Sequence, residues 1–86
     1  MNKVLNRTYE KAFNSARAVL WNKGVCILDL AYENFARVFE SFDTSKGKMH
    51  VQKKVAEFLS VQSPNAQSRV TPEECHMVAL YIMKKE

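Results

Sequence analysis

The stretch that decides the fold is residues 52–70, QKKVAEFLSVQSPNAQSRV. In its first half Val55, Phe58 and Leu59 fall at i, i+3 and i+4, with Lys53, Lys54 and Glu57 turned away. That is the pattern of a short amphipathic helix. The second half is polar, with Gln62, Ser63, Asn65, Gln67, Ser68 and Arg69 close together. Ser63-Pro64 supplies a capping serine and a first-turn proline, so a second short helix is expected at 64–69. The spacing therefore predicts two short helices joined by a tight link.

Upstream, residues 3–22 carry the strongest helical pattern. Leu5, Tyr9, Ala12, Phe13, Ala16, Val19 and Leu20 form a continuous apolar stripe. Asn2 can cap its start, and Lys23-Gly24 can end it, glycine taking the left-handed conformation after the last turn. Trp21 is expected as a core anchor. Residues 25–28, VCIL, read as a buried lead-in to the next helix, because no partner strand is evident. That helix is expected over 29–42, with Ala31, Phe35, Val38, Phe39 and Phe42 inward and the phenylalanines at the centre of the core. Residues 43–48, DTSKGK, read as a loop. Its glycine is misplaced for a calcium loop, and Lys54 stands where the closing glutamate would be. Downstream, Thr71-Pro72-Glu73-Glu74 is a helix start, with threonine as cap and Glu74 placed to reach back to the cap amide. The final helix is expected over 72–84, with Cys75, Val78, Ala79 and Ile82 inward and Met77, Tyr81 and Met83 off that stripe.

The expected fold is an all-α single domain, residues 1–86, built as a compact bundle of four main helices plus the short one. Two glycines and two prolines in 86 residues favour that class, and 47% hydrophobic residues suffice for a core. No apolar run approaches the ~20 residues that a membrane span needs. The first residues, MNKVLNRTYEKAF, lack the apolar stretch of a signal peptide, so a cytoplasmic location is expected. In a reducing compartment Cys26 and Cys75 should be free, buried thiols. The net charge of +4 is unevenly spread. Residues 1–23 and 44–70 each carry five basic residues and one acidic, whereas residues 24–43 carry one basic and four acidic. The organising stretch thus lies in a basic block, which attracts phosphate or an acidic surface.

A catalytic site would leave convergent polar residues. The two histidines, His50 and His76, stand in no metal-ligand spacing, and Cys75-His76 are adjacent, so on a helix they diverge. Gly47-Lys48 lacks the remainder of a phosphate loop. The reading is of a protein that is not an enzyme and uses no metal, cofactor or small-molecule substrate.

Gln52, Val55, Ala56, Leu59 and Val61 together resemble the first helix and turn of helix-turn-helix regulators of the phage Cro and repressor type. In such motifs the alanine allows two steeply crossing helices to approach. Ala66 and Ser68-Arg69 are similar to the following recognition helix. Ser60 stands where the family has its turn glycine, Arg69 where an apolar residue is usual, and the spacing from Val61 to Pro72 is short. The resemblance spans residues 50–75. It implies a small transcriptional regulator of phage or plasmid character, with a helix-turn-helix at 52–70 on double-stranded DNA. Gln62, Asn65, Gln67 and Arg69 would face base edges. Lys46, Lys48, Gln52, Lys53 and Ser63 would hold phosphates. A homodimer would follow, since one half-site gives too little specificity. The rival reading is a small interaction module that meets an acidic protein surface, with Trp21, Met77 and Tyr81 among its exposed contacts.

Overall fold

A computed structural model gives the structure, which describes residues 9–63 and 69–84. The order is α1 (Glu10–Asn22), a 3-10 turn (Asp29–Ala31), α2 (Tyr32–Ser41), a second 3-10 turn (Thr44–Lys46), α3 (Lys48–Gln62) and α4 (His76–Lys84). The chain is all-α, and no strand occurs among the described residues. The start expected for the first helix and residues 64–68 of the expected short helix lie outside the described residues.

Each helix is set by its apolar spacing and its ends. Ala12, Phe13, Ala16 and Leu20 bury the inner stripe of α1. The helix stops at Gly24, whose φ of 84° suits a residue without a side chain. There the Gly24 N–H donates to Trp21 O at 3.0 Å and the Val25 N–H to Leu20 O at 2.8 Å. These two bonds satisfy carbonyls that the helix end would orphan. Gly47, also at positive φ (98°), turns the chain into α3. On α3, Val51, Val55, Ala56 and Leu59 are buried. On α4 the inner stripe is Val78, Ala79 and Ile82, and Cys75 is buried just before it. α4 packs on both α1 and α3.

The aromatic residues form the centre. Phe39 is fully buried and meets Tyr9, Phe35 and Phe58 edge-on, with ring centroids 5.9, 6.0 and 6.2 Å away. Phe13 lies 5.4 Å from Tyr32 and 5.1 Å from Phe35, again edge-on. Such pairs add about 0.5–1.5 kcal/mol each beyond the area they bury. This cluster ties the start of α1 to α2 and α3.

The structure corrects several expectations. α3 begins at Lys48, four residues before Gln52, because the 43–48 segment is shortened by the Thr44–Lys46 turn. Asp43 caps that turn, accepting from the Ser45 N–H at 3.1 Å. At the other end α3 continues unbroken through Ser60 to Gln62, so the chain does not turn at Ser60. The last α-helix starts at His76, because residues 72–75 are wound by bonds three residues apart, such as Cys75 N–H to Pro72 O at 3.0 Å. Trp21 is no core anchor: it is 68% exposed. The α1 stripe is already filled by Phe13, Ala16 and Leu20, and Trp21, one residue after Leu20, lies about 100° further round the helix. Nor is the 25–28 segment buried throughout, since Val25 and Ile27 are half-buried but Cys26 and Leu28 face solvent. Cys26 and Cys75 are both free, and only Cys75 is buried.

Two outcomes check this packing. Phe39→Ala should lower the unfolding free energy by about 3–5 kcal/mol, whereas Trp21→Ala should stay within about 0.5 kcal/mol, both read from urea unfolding of dilute protein. Burial, and then the nearby Glu74 carboxylate, push the Cys75 thiol up to about 12. A thiol reagent at neutral pH should therefore modify one cysteine of the native protein quickly and the second only as the protein unfolds.

Candidate functional site

The surface of interest is built where residues 69–75 cross α3. Three polar contacts place that crossing. The Val70 N–H donates to Ser60 Oγ at 3.1 Å. The Gln52 side-chain amide donates to Pro72 O at 2.9 Å. The Lys48 ammonium lies 2.8 Å from His76 Nδ1, which accepts from it in the neutral ring. Val70 is buried at this crossing.

The Thr71 capping box holds the next turn. The Thr71 N–H donates to Glu74 Oε1 at 2.9 Å, and the Glu74 N–H donates back to Thr71 Oγ1 at 3.3 Å. Lys23, at the end of α1, reaches the other carboxylate oxygen of Glu74 at 2.9 Å. The Thr71 amide first, and then Lys23, hold the Glu74 carboxyl below its ordinary value. One acidic side chain thus joins the end of α1 to the start of α4.

Between α3 and residues 69–72 this leaves an open groove of about 570 Å³. Its walls include Lys53 and Val61 on one side and Arg69 on the other, with Ala56, Val70 and Pro72 also lining it. Met49 and Lys53 line an adjoining hollow beyond Pro72. Along α3 the outward ladder is Met49, Lys53, Glu57 and Val61, each four residues from the last. Met49 is 84% and Val61 79% exposed, roughly 18 Å apart along the helix axis at 1.5 Å per residue. Glu57 shares the groove, and Lys54 lies 3.7 Å from its carboxylate.

The sequence-predicted contact residues divide between several places. Lys53 and Arg69 come together on the groove. Lys46 is exposed in the turn before α3, and Lys48 opens that helix. Gln52 is half-buried with its amide committed to Pro72 O, so the residue expected on phosphate holds the crossing together. Gln62 ends α3 and Ser63 follows in an extended conformation, both half-buried. Asn65 and Gln67 lie outside the described residues. Arg69 is exposed and non-helical. Sequence reasoning passed over Met49 and Val61 as groove residues. Starting the helix at Lys48 would have revealed them, because the ladder of four-residue steps then becomes visible.

A second surface lies at the far end of α1. Trp21, Leu28 and Leu30 are 68%, 62% and 87% exposed. Arg17, Trp21 and Leu28 line a cleft of about 470 Å³. Arg17 forms an ion pair with Asp29 across it and stacks its guanidinium 5.3 Å from the Phe13 ring centre. Among the described residues no helix is long and apolar enough to cross a membrane, and no group of three or more His, Cys, Asp or Glu side chains could hold a metal ion.

No protein-family model, curated protein or solved structure matches this chain.

The Glu74 junction makes a pH prediction. Its carboxyl titrates lower in the folded chain than its ordinary 4.5. Its stabilising contribution is therefore complete above that value and is lost as pH falls through the folded pKa. In urea titrations at neutral pH and near pH 3, Glu74→Gln should be less stable than the native protein at neutral pH, and that gap should shrink in acid. Thr71→Ala, which removes the cap hydroxyl, should cost about 1 kcal/mol at neutral pH.

Proposed function

We propose that the protein is a small interaction module without catalytic activity, whose α3 groove takes an acidic amphipathic helical segment of a partner protein. The observation that carries this reading is the order of side chains along the groove. Exposed Val61 lines one end, faced by Arg69 across the groove; Lys53 follows further along the α3 wall, and exposed Met49 lines the adjoining hollow beyond Pro72. A helix laid in such a groove would bury apolar side chains against Met49, Ala56 and Val61, and turn its acids toward Lys53 and Arg69. Magnitudes rank the two contributions. Fully burying an exposed apolar side chain is worth about 1.5–3 kcal/mol, an exposed ion pair about 0.2–1 kcal/mol. The apolar ends would set the affinity, and the cations the orientation and association rate.

Binding of double-stranded DNA is the second reading, and one observation favours it. α3 opens on Lys48 with no acid in its first turn, and Lys46 stands just before it. Cations at the positive end of a helix dipole are unfavourable by about 0.3–1 kcal/mol each, a cost that a phosphate placed there would relieve. The groove itself fits phosphate less well, with Glu57 in its wall and Ala56, Val70 and Pro72 around it. The unbroken course of α3 through Ser60 also departs from the motif on which the DNA reading rests.

Fluorescence anisotropy with two probes separates the readings. One probe is a designed acidic helix with leucines at i, i+4 and i+7 and glutamates between; the other is a random-sequence duplex. The interaction module predicts saturable peptide binding that Val61→Asp weakens more than tenfold and Lys53→Ala/Arg69→Ala weakens less. Absence of peptide binding would overturn it. Duplex binding that falls steeply with salt, with a shallower salt slope in Lys53→Ala/Arg69→Ala, would establish the second reading in its place.

A further inference from the structure

α3 buries Val51, Val55 and Leu59 on one side. Met49, Lys53, Glu57 and Val61 are all exposed. At about 100° per residue, the mean direction of these four lies about 180° from that of Val55. They form the outermost row of the helix.

The order of the row carries the argument. It reads apolar, basic, acidic, apolar in steps of four residues. Met49 and Val61 have their midpoint at residue 55, and Lys53 and Glu57 have the same midpoint. A two-fold axis through that point, perpendicular to the helix, turns the row onto itself in reverse. Met49 then meets Val61 of a second copy, Lys53 meets its Glu57, and each pair forms twice. Such matching of a patch with itself is what a two-fold interface requires. We infer that α3 pairs antiparallel with α3 of a second copy of this chain through this row, and that the dimer covers the α3 groove.

Charge selects a second copy over another occupant. Among the described residues Lys53 has no ion pair. Glu57 has only Lys54, at 3.7 Å and beyond hydrogen-bonding distance, with both side chains roughly half exposed. Its carboxylate therefore retains its acceptor capacity. A uniformly acidic surface laid on the row would meet repulsion at Glu57, and a uniformly basic one at Lys53. A second copy answers both. Lys54 and Arg69 stand on either side of the row, at the rim of the pairing, where their charge stays in water.

Packing geometry allows the pairing. Rows of four-residue steps are inclined about 26° to a helix axis, so two of them lie side by side when the axes cross at about 50°, the commonest packing of helices in globular proteins. One helix face per copy is less than the about 20–30 residues a side of a standard interface. The dimer is accordingly reversible, and dilute protein is monomeric. It uses the wall that an acidic helix would use, so the two compete. The dimer is the closed state of the groove and the monomer the open one. The pairing itself does not rest on the acidic-helix reading.

Sedimentation velocity from low micromolar to submillimolar protein reads the equilibrium. Reductant is kept present so that the exposed Cys26 thiol cannot link two copies. A monomer–dimer equilibrium is expected. Lys53→Glu and Glu57→Lys, both at exposed positions, should each weaken the dimer at least tenfold, because each sets like charges opposite one another. Mixing the two variants should restore a dimer with one copy of each, and Met49→Asp in either should remove it again. A native chain that is monomeric at every concentration overturns the inference. So does a dimer that Lys53→Glu leaves intact, or a mixture of the two variants that stays monomeric. The designed acidic peptide, added at monomeric dilution, separates this inference from the groove reading. Peptide binding by a chain that never dimerises overturns the pairing and leaves the groove reading in place. A dimer that obeys the charge exchange, without peptide binding, supports the pairing and overturns the groove reading.

Discussion

Residues 69–75 cross α3 in one register, and both the α3 groove and the position of α4 depend on it. Ser60 fixes Val70, Gln52 fixes Pro72, and Glu74 joins Thr71 to Lys23 on α1. No one of these contacts is strong. A net hydrogen bond is worth about 0.5–1.5 kcal/mol, and the Lys23–Glu74 pair is partly exposed to solvent, so it contributes little by itself. Their effect comes from arrangement. They anchor the crossing at both ends and to both neighbouring helices, while Val70 and Cys75 are buried beneath it. A loop held in this way presents Arg69 at a fixed distance from Lys53, which a free loop would not.

The two candidate surfaces arise from the same economy of packing. The interior is filled by five aromatic rings, Tyr9, Phe13, Tyr32, Phe35 and Phe39, together with aliphatic residues from α1, α3 and α4. A chain of 86 residues has little interior volume left once these are placed. Trp21, Leu30, Met49 and Val61 are left outside, and they are not scattered singly. Trp21 and Leu30 gather at the end of α1, Met49 and Val61 along α3. Each set is bordered by charge, of both signs near Leu30 and largely basic around Lys53.

Most of the fold was legible in the sequence. The inner residues Phe13, Ala16, Leu20, Phe35, Phe39, Val55, Leu59, Val78, Ala79 and Ile82 follow from helical spacing alone. The Gly24 stop and the Thr71–Glu74 box follow from residue type and offset. What could not be read there depends on contacts between distant segments. Trp21 was placed inside by residue type, but only the neighbours of α1 decide which of two adjacent positions, Leu20 or Trp21, faces the core. The true start of α3 was hidden by Lys46, Gly47 and Lys48, which read as a loop until Gly47 is seen to take φ 98° as the helix's entry residue. Gln52 illustrates the limit for function. An amide on a basic helix resembles a DNA contact, yet its partner, Pro72 O, lies twenty residues away in sequence and cannot be inferred from local pattern.

The most direct test of the account is native-state amide hydrogen exchange at Val70, followed by two-dimensional NMR under conditions that leave the protein folded. Val70 lies outside any helix, so its N–H is protected only by Ser60 Oγ and by burial. A fixed crossing would slow exchange to the range of the buried α4 amides, and exchange would be faster in Ser60→Ala with the helices otherwise unchanged. Exchange at the rate of an open loop in the native protein would contradict it. The crossing would then not be fixed, and the groove between Lys53 and Arg69 would not exist as a standing surface.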